Sequence, residues 1–176
     1  MKFVPSPLAG VVLVEPDRGT DERGAFARMY EPQAFARAGL DVPLPLVARA
    51  WNHRAATLRG MHYQAAPHGE TKLVSCARGA VFDVAVDLRA GSPTRGQWFG
   101  ARLDADDGQA LWVPAGCAHG YLTLTDEAVV LYQMTDNHRP DAERGVRWDD
   151  PTLAIAWPAA PAVISERDRS WPALTR

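Results

Sequence analysis

Most of the chain after about Val47 consists of short segments in which apolar and polar residues alternate. The alternation is clearest in AVFDVAVDLR (80–89), where apolar side chains share one face and Asp83 and Asp87 fall on the other. Further strands are predicted for TLRGMHYQ, ALWVP, GYLTLTD and AVVLYQMTD. Fourteen glycines and fourteen prolines separate such segments. The chain is therefore predicted to be mainly β, a sandwich or barrel with a jelly roll among the options.

Two parts of the chain do not alternate. EPQAFARAGL (31–40) is the best helix candidate, because Pro32 stands near its start and Gly39 closes it. The C-terminal segments RWDDPTLAIAWP and VISERDRSWPAL are irregular and rich in tryptophan, so we expect loops and short helical turns across a barrel end. No repeat, low-complexity tract or linker interrupts the sequence, and residues 1–176 are predicted to form one domain.

Composition narrows the class of protein. A chain of 176 residues that is 47% hydrophobic can bury a sizeable core. A net charge of −2 gives no general attraction to nucleic acid or to an anionic membrane. The N-terminal MKFVPSPLAG is too short and proline-rich for a signal peptide, so we expect a cytoplasmic protein. Cys76 and Cys117 lie in apolar strand-like contexts, which favours reduced core residues over a disulfide.

The segment TLRGMHYQ (57–64) places a histidine in the middle of a predicted buried strand. Regular alternation puts Gly60, His62 and Gln64 on one face and Arg59 on the other. A face of glycine, histidine and glutamine is unusual for a core and is typical of a polar cavity wall. The sequence therefore predicts a cavity beside His62.

Lysine is rare in this chain, because 17 of the 19 basic residues are arginine and only Lys2 and Lys72 are lysine. A lysine retained among arginines can supply a compact ammonium that a guanidinium cannot replace. The alternative for Lys72 is a solvated residue at a strand end. The sequence alone leaves both open.

The polar residues also follow the two-motif layout of cupin jelly rolls. His62 precedes Glu70, and His119 follows a Pro-x-Gly turn in VPAGCAHGY. Many cupins hold a metal with a His-x-His pair, but Gln64 stands at the second position here, and glutamine is a poor ligand for transition metals. His62, Glu70 and His119 could still form a facial metal set. His119 could equally be a buried, hydrogen-bonded histidine without a role in the site.

A resemblance to a known family adds to these predictions of fold and cavity. The segments DERGAF, TLRGMHYQ, ETKLVSCARGAVFDVAVDLRAGSPT, VPAGCAHGY, LYQ, ERGVRWDDP and ISERD occur in one order over residues 21–171. Together they resemble the dTDP-4-dehydrorhamnose 3,5-epimerase family, metal-free cupins that act on nucleotide-linked 4-keto sugars. The resemblance implies a cupin-type β jelly roll, no cofactor, no metal, and a homodimer whose N-terminal segment crosses to the partner.

The resemblance also implies catalytic roles. A 4-keto group acidifies the hydrogens on C3 and C5, so epimerisation needs a base, an enolate stabiliser and an acid on the opposite face. His62 is the expected base, with Asp168 fixing its tautomer. Lys72 would stabilise the enolate oxygen, and Tyr132 would be the acid. A half-buried strand tyrosine with a satisfied hydroxyl is the alternative for Tyr132.

The same resemblance assigns binding residues for a nucleotide-sugar substrate. Arg23 and Arg59 match phosphate-binding positions, which suits a guanidinium. Phe26 is expected near the nucleotide base, unless it is a core residue. Glu143 matches a position that contacts the base or the neighbouring chain, unless it is a solvated loop carboxylate. The predicted binding residues are Arg23, Phe26, Arg59, Gln64, His119 and Glu143.

Three positions depart from the pattern expected for enzymes that invert both centres. Arg28 replaces a usual glutamate, and Val47 and Arg49 replace a usual Gln-x-Asn pair. These positions help to hold the nucleotide and the sugar in the family, so inversion at C3, at C5 or at both stays open. Relatives that act on sugars of antibiotics or surface glycans invert one centre.

The sequence alone also leaves three other functions open. A related cupin keto-isomerase would move the keto group between C3 and C4. A metal-dependent cupin oxygenase or isomerase would use His62, Glu70 and His119, and purified protein would then carry a stoichiometric transition metal. A non-catalytic sugar-nucleotide binding module would bind ligand without proton exchange.

Overall fold

The computed structural model describes residues 1–174, which contain fourteen strands and two short helices. In chain order these elements are β1 Lys2–Pro5, β2 Val12–Glu15, β3 Arg18–Asp21, β4 Gly24–Ala27, α1 Pro32–Arg37, β5 Leu46–Asn52, β6 Thr57–Gln64, β7 Lys72–Arg78, β8 Ala80–Asp87, β9 Trp98–Asp104, β10 Ala110–Val113, β11 Cys117–Thr123, β12 Ala128–Met134, β13 Glu143–Gly145, β14 Val163–Ile164 and α2 Glu166–Arg169. None of these helices has the length and apolar character needed to cross a membrane.

Two sheets form the body of the described chain. The first has six strands in the order β1-β2-β10-β7-β12-β5. The second has five strands in the order β13-β6-β11-β8-β9, and a sixth strand, β14, also pairs with β6. The neighbours are antiparallel, except that β14 runs parallel to β6. From β5 to β8 and again from β9 to β13, consecutive strands alternate between the two sheets, as expected for a jelly roll. The predicted mainly-β, cupin-type fold is confirmed.

The main core lies between the inner faces of the two sheets. Val74, Leu111 and Val130 of the first sheet pack there with Val81 and Tyr121 of the second, all of them buried. Burial of apolar side chains from both sheets is the dominant favourable term that holds such a sandwich closed. The polar site described below lies at one end of this core.

The outer face of the second sheet is also buried, because the C-terminal segment covers it. Val84 and Val86 of β8 pack there against Val146, Leu153 and Ile155. Strand β8 is therefore apolar on both faces apart from its aspartates, which explains its rich hydrophobic composition. The C-terminal segment does form loops and a short helix, as predicted, but its apolar residues cover a sheet face rather than only a barrel end.

The helix prediction is confirmed by α1, whose buried Phe35 packs edge-on against Phe3 and beside Trp112. Four N-terminal strands were not predicted. Strands β1 and β2 extend the edge of the first sheet, and β3 and β4 form a separate exposed hairpin. These strands are only four residues long, so their alternation is too short to read from sequence.

Candidate active site

A polar cavity of about 410 Å³ opens between the two sheets. Strands β5, β7 and β12 supply one wall, β6 and β11 supply the other, and the segment around α2 closes the side. Three cationic side chains face one carboxylate, so the cavity suits an anionic ligand. Its lining residues are Ala48, Ala50, Arg59, His62, Lys72, His119, Tyr121, Tyr132, Met134, Ser165, Arg167 and Asp168.

His62 is hydrogen-bonded to Asp168 inside this cavity. Its Nε2 lies 2.6 Å from Asp168 Oδ1, and the second carboxylate oxygen accepts the Gly60 N–H at 3.2 Å. Asp168 belongs to α2, where Ser165 caps the first turn by accepting the Asp168 N–H. An ionised carboxylate only accepts hydrogen bonds, so Nε2 carries the imidazole proton and Nδ1 is left as the basic nitrogen.

The pKa of Asp168 lies below its usual value. Burial acts to raise this pKa, but the hydrogen bond and charge of His62 and the Gly60 N–H outweigh burial. The carboxylate is therefore ionised at neutral pH, although the side chain is only 6% exposed. An ionised Asp168 can both orient His62 and stabilise the imidazolium that forms when His62 takes a proton.

The depressed pKa of Asp168 makes a prediction about stability. A carboxyl with a lowered folded-state pKa contributes stability above its unfolded pKa of about 3.9, and this contribution is lost as pH falls through the folded pKa. Asp168→Asn should therefore lower the free energy of unfolding at neutral pH, and the gap to wild type should narrow below about pH 4. Urea unfolding over a pH series measures the gap. The exposed Asp41→Asn is the control, and a gap independent of pH would contradict the assignment.

Lys72 is not a solvated lysine at a strand end. Its Nζ pairs with Glu70 Oε1 at 2.9 Å, and both side chains are only 11% exposed. The ammonium lines the cavity, so it can meet an oxygen of a bound ligand. The solvated alternative left open by the sequence is therefore wrong.

Replacing Lys72 tests whether a compact ammonium is needed. Lys72→Met removes the charge, and Lys72→Arg keeps it but spreads it over a larger planar group in place of the compact ammonium beside Glu70. The role that the family resemblance implies for Lys72, stabilising an enolate oxygen, predicts that both variants lower kcat by about 10²-fold, the usual effect of removing one stabiliser of a developing oxyanion. Lys2→Arg is the matched control, since Lys2 is the other lysine and is 77% exposed. Full activity in Lys72→Arg would show that charge alone suffices.

Tyr132 and His119 meet on another part of the cavity wall. The ring of His119 packs edge-on against Tyr132 with centroids 6.0 Å apart, and His119 Nε2 lies 2.8 Å from Asp83 Oδ1. Burial, followed by the neighbouring Tyr121, raises the pKa of Tyr132 well above its usual value. The Tyr132 hydroxyl is therefore protonated at neutral pH and can act as a donor. His119 is both a buried, hydrogen-bonded histidine and a cavity residue.

Arg59 lines the same cavity as His62, so the prediction from strand alternation is wrong at this point. The pairing of β11 with β6 shifts register between His119 and Tyr121, and Gly60 takes a φ of +134°. A bulge of this kind moves the following residues to the other face. The side chains on either side of Gly60 therefore reach one cavity, which regular alternation would forbid.

Gly60 is required at the bulge for two separate reasons. A Cβ there would lie 2.6 Å from the Gly120 Cα, and the positive φ is disfavoured for any other residue. Gly60→Ala should therefore lower the free energy of unfolding by about 3 kcal/mol. Gly24→Ala is the control, because Gly24 has a similar φ of +129° with no atom within 4 Å and should cost about 1 kcal/mol. The free energies of unfolding are measured by urea unfolding. If Gly60→Ala and Gly24→Ala lowered the free energy of unfolding equally, the close contact at Gly60 would make no steric contribution.

Gln64 does not line the cavity. Its side chain is buried, where Nε2 donates to the Asn137 carbonyl at 3.3 Å and Oε1 accepts the Arg139 N–H at 2.6 Å. The register shift lies before His62 and leaves the alternation of His62 and Gln64 intact, so Gln64 is kept from the cavity by the loop that its amide binds. Gln64 anchors the loop after β12 instead of facing a substrate.

Arg23 and Phe26 lie on the exposed β3–β4 hairpin, outside the cavity formed by this chain. Arg23 pairs with Asp21 at 2.6 Å, and Phe26 is 70% exposed, so the core alternative for Phe26 is wrong. Glu143 is also outside the cavity lining, but it is not a solvated loop carboxylate: its side chain is 8% exposed, forms an ion pair with Arg167 and lies 3.2 Å from His138 Nε2. Through Arg167, Glu143 borders the cavity.

The three residues of the alternative metal set have separate partners. His62 pairs with Asp168, Glu70 with Lys72, and His119 with Asp83. Within residues 1–174, no group of three or more histidine, cysteine, aspartate or glutamate side chains is placed to hold a metal ion. The facial set considered from the sequence does not form.

Several lining residues were not anticipated. Arg167 adds a third cation to the cavity and Tyr121 adds a hydroxyl beside Tyr132. Arg167 stands next to Asp168 in the ISERD motif, so the motif itself was the available signal. No motif indicates Tyr121, because a tyrosine in an apolar strand is predicted to be a core residue.

Comparison with known proteins agrees with the fold. The family model described as dTDP-4-dehydrorhamnose 3,5-epimerase matches residues 5–176. A dTDP-4-dehydrorhamnose 3,5-epimerase from Sinorhizobium fredii is 42% identical over 175 residues, covering 99% of this chain and 90% of that protein. A dTDP-4-dehydrorhamnose 3-epimerase from Streptomyces niveus is 40% identical over 170 residues, covering 96% of this chain and 82% of the relative.

A solved structure extends the similarity to three dimensions. The dTDP-4-dehydrorhamnose 3,5-epimerase of Bacillus anthracis, with TDP and PPi bound, superposes with a TM-score of 0.95 at 36% sequence identity. The match covers 98% of this chain and 99% of that one. The chain therefore belongs to the dTDP-4-dehydrorhamnose 3,5-epimerase family.

Proposed function

We propose that the protein is a cofactor-independent epimerase that inverts C3, C5 or both in a nucleotide-linked 4-keto-6-deoxyhexose of the dTDP-4-dehydro-6-deoxyglucose type, in deoxysugar biosynthesis. The observation that carries the proposal is the His62–Asp168 pair, which shares one cationic cavity with Tyr132 and Lys72. Membership of the family supports the reaction class.

In the proposed reaction, His62 Nδ1 removes a proton from a carbon next to the ketone. The C–H bond breaks and its electron pair moves toward the C4 oxygen, giving an enolate. Asp168 stabilises the imidazolium, and the Lys72 ammonium stabilises the negative oxygen. Tyr132 then donates its proton to the opposite face of the same carbon. Before the next turnover the imidazolium releases its proton to solvent and the tyrosinate takes one up from solvent, so the protons balance.

The nucleotide diphosphate would be held by the cations of the cavity. Arg59 and Arg167 both line it, and a guanidinium matches phosphate oxygens with two parallel hydrogen bonds. The Bacillus anthracis relative, which has TDP and PPi bound, supports this class of ligand. Arg23 and Phe26 would contribute from the hairpin of a second copy, since they lie outside the cavity of their own chain.

Two of the three positions that depart from the family pattern, Val47 and Arg49, lie outside the cavity lining of this chain. Val47 and Arg49 project outward from β5, where Val47 is 68% exposed and the Arg49 guanidinium lies 4.1 Å from the Trp51 ring centroid. Ala48 and Ala50, between them, line the cavity. The relative from Streptomyces niveus is a 3-epimerase, which supports single-centre inversion as the alternative.

Product analysis tests the proposal. Incubation with dTDP-4-dehydro-6-deoxyglucose should yield a C3 epimer, a C5 epimer or the doubly inverted sugar, each distinguished by its proton NMR couplings. A product with the keto group at C3 would assign the related keto-isomerase reaction instead. An unchanged substrate, tested with several nucleotide bases, would refute both.

We also propose that the chain acts as one domain and as a cytoplasmic homodimer. The exposed Phe26 on the β3–β4 hairpin and the exposed Trp51 on the edge strand β5 support pairing with a second copy. Cys76 and Cys117 are both free and buried, as a reducing compartment allows. Light scattering in solution should give twice the chain mass of 19.2 kDa, and a monomeric mass would contradict pairing.

A further inference from the structure

Asn52, at the end of β5, connects two groups of the cavity wall without lining the cavity itself. Its Oδ1 accepts the Arg59 Nε–H at 2.9 Å and the Tyr121 hydroxyl at 3.1 Å. Its Nδ2 donates to the Ala128 carbonyl at 3.1 Å and to the Ala50 carbonyl at 3.4 Å. One buried amide thus joins β5 and β12 of the first sheet to β6 and β11 of the second.

The hydrogen-bonding capacity of the Asn52 amide is fully used. An amide offers two donors and a carbonyl oxygen with two lone pairs, and each has a partner here. Asn52 is only 3% exposed, so any group left unpaired would remain away from water at a substantial free-energy cost. A fully paired buried amide fixes the orientation of what it binds.

Arg59 is the cavity residue whose orientation depends most on Asn52. Its Nε is held by Asn52, and its Nη2 donates to the Trp51 carbonyl at 3.4 Å, so two of its nitrogens face β5. Within residues 1–174 the Nη1 nitrogen makes no hydrogen bond, and the side chain lines the cavity. The arrangement leaves one edge of the guanidinium free to meet an anion.

We propose that Asn52 is a positioning residue that sets the orientation of the Arg59 guanidinium for binding the diphosphate of the substrate. The inference rests on the proposed function for the identity of the ligand, but its test is binding and not turnover. Asparagine suits the task because it is neutral: an aspartate would neutralise Arg59 and repel a phosphate.

A double-mutant cycle on TDP affinity tests the proposal. By calorimetry, Asn52→Ala should raise the Kd for TDP about tenfold, the effect of losing one hydrogen bond to a charged group. Arg59→Met should raise it further, and the double variant should bind no more weakly than Arg59→Met alone. Additive losses, or an unchanged Kd in Asn52→Ala, would overturn the proposal, because a merely structural role does not depend on Arg59.

Controls separate positioning from folding and from the proposed function. Thr57→Val removes another hydrogen bond of β6, from the Thr57 hydroxyl to the Arg54 carbonyl, outside the cavity lining, so its Kd for TDP should stay within about twofold of wild type. If Asn52→Ala does not fold, the same cycle is run with Asn52→Thr. If the wild-type protein binds TDP but does not convert the 4-keto sugar, the proposed epimerase function is refuted. The double-mutant cycle on TDP affinity would still test the role of Asn52. Wild type that binds neither TDP nor pyrophosphate would overturn the inference itself.

Discussion

His62→Ala should lower kcat by about 10⁴-fold, because it removes the base that takes the proton from the carbon next to the ketone. The remaining cations and Tyr132 can still bind the substrate, so KM should change little. His62→Asn keeps a polar side chain beside Asp168 but has no basic nitrogen, and it should lose as much activity as the alanine variant. Steady-state kinetics on the 4-keto sugar, with product formation followed by NMR, measures both values.

The control for this prediction is His53→Ala, in which an exposed histidine outside the cavity is removed. It should retain full activity. A His62→Ala variant that keeps more than about a tenth of wild-type kcat would remove His62 as the base, since general-base catalysis is worth at least about 10²-fold. Partial rescue of His62→Ala by added imidazole would support the assignment independently.

Tyr132→Phe should impair inversion more than it impairs deprotonation. Phenylalanine keeps the ring that packs against His119 but removes the proton donated to the opposite face. His62 would still form the enolate and return the proton to the same face, so solvent exchange should persist while net inversion falls by about 10²-fold or more. Parallel measurement of deuterium exchange and of product separates the two steps.

Tyr30→Phe is the matched control for Tyr132→Phe, since Tyr30 packs against Phe35 away from the cavity. Exchange and inversion should both be unchanged in it. If exchange and inversion fell together in Tyr132→Phe, the hydroxyl would be needed for forming the enolate, and the assignment of Tyr132 as the acid would lose its support.

The strands carrying the catalytic residues could be predicted because their patterns are long and regular. TLRGMHYQ corresponds residue for residue to β6, and the alternation in AVFDVAVDLR predicted β8 and separated Asp83 from the apolar face. That the face of Asp83 is the one that meets His119 follows only from the structure. The prediction of a sandwich or barrel also follows from such alternation. Individual roles for His62 and Asp168 came from the family resemblance, because 106 residues separate them in the chain.

Alternation failed where the backbone departs from a regular strand. The register shift between β6 and β11 and the positive φ of Gly60 bring Arg59 to the cavity. Gln64 lies outside the cavity because its amide binds the loop after β12. A single glycine in a strand is compatible with a bulge, but its effect depends on Gly120 of the neighbouring strand. Such a contact between distant residues cannot be read from a local pattern. The placement of Asn52 between Arg59 and Tyr121 is of the same kind.

Deuterium incorporation from solvent tests the central claim most directly, because it reports the breaking of the C–H bond itself. Wild-type protein incubated in D2O with dTDP-4-dehydro-6-deoxyglucose should place deuterium at C3, at C5 or at both, and His62→Ala should place none at a detectable rate. Absence of exchange at both carbons in the wild type, or undiminished exchange in His62→Ala, would contradict proton abstraction by the His62–Asp168 pair.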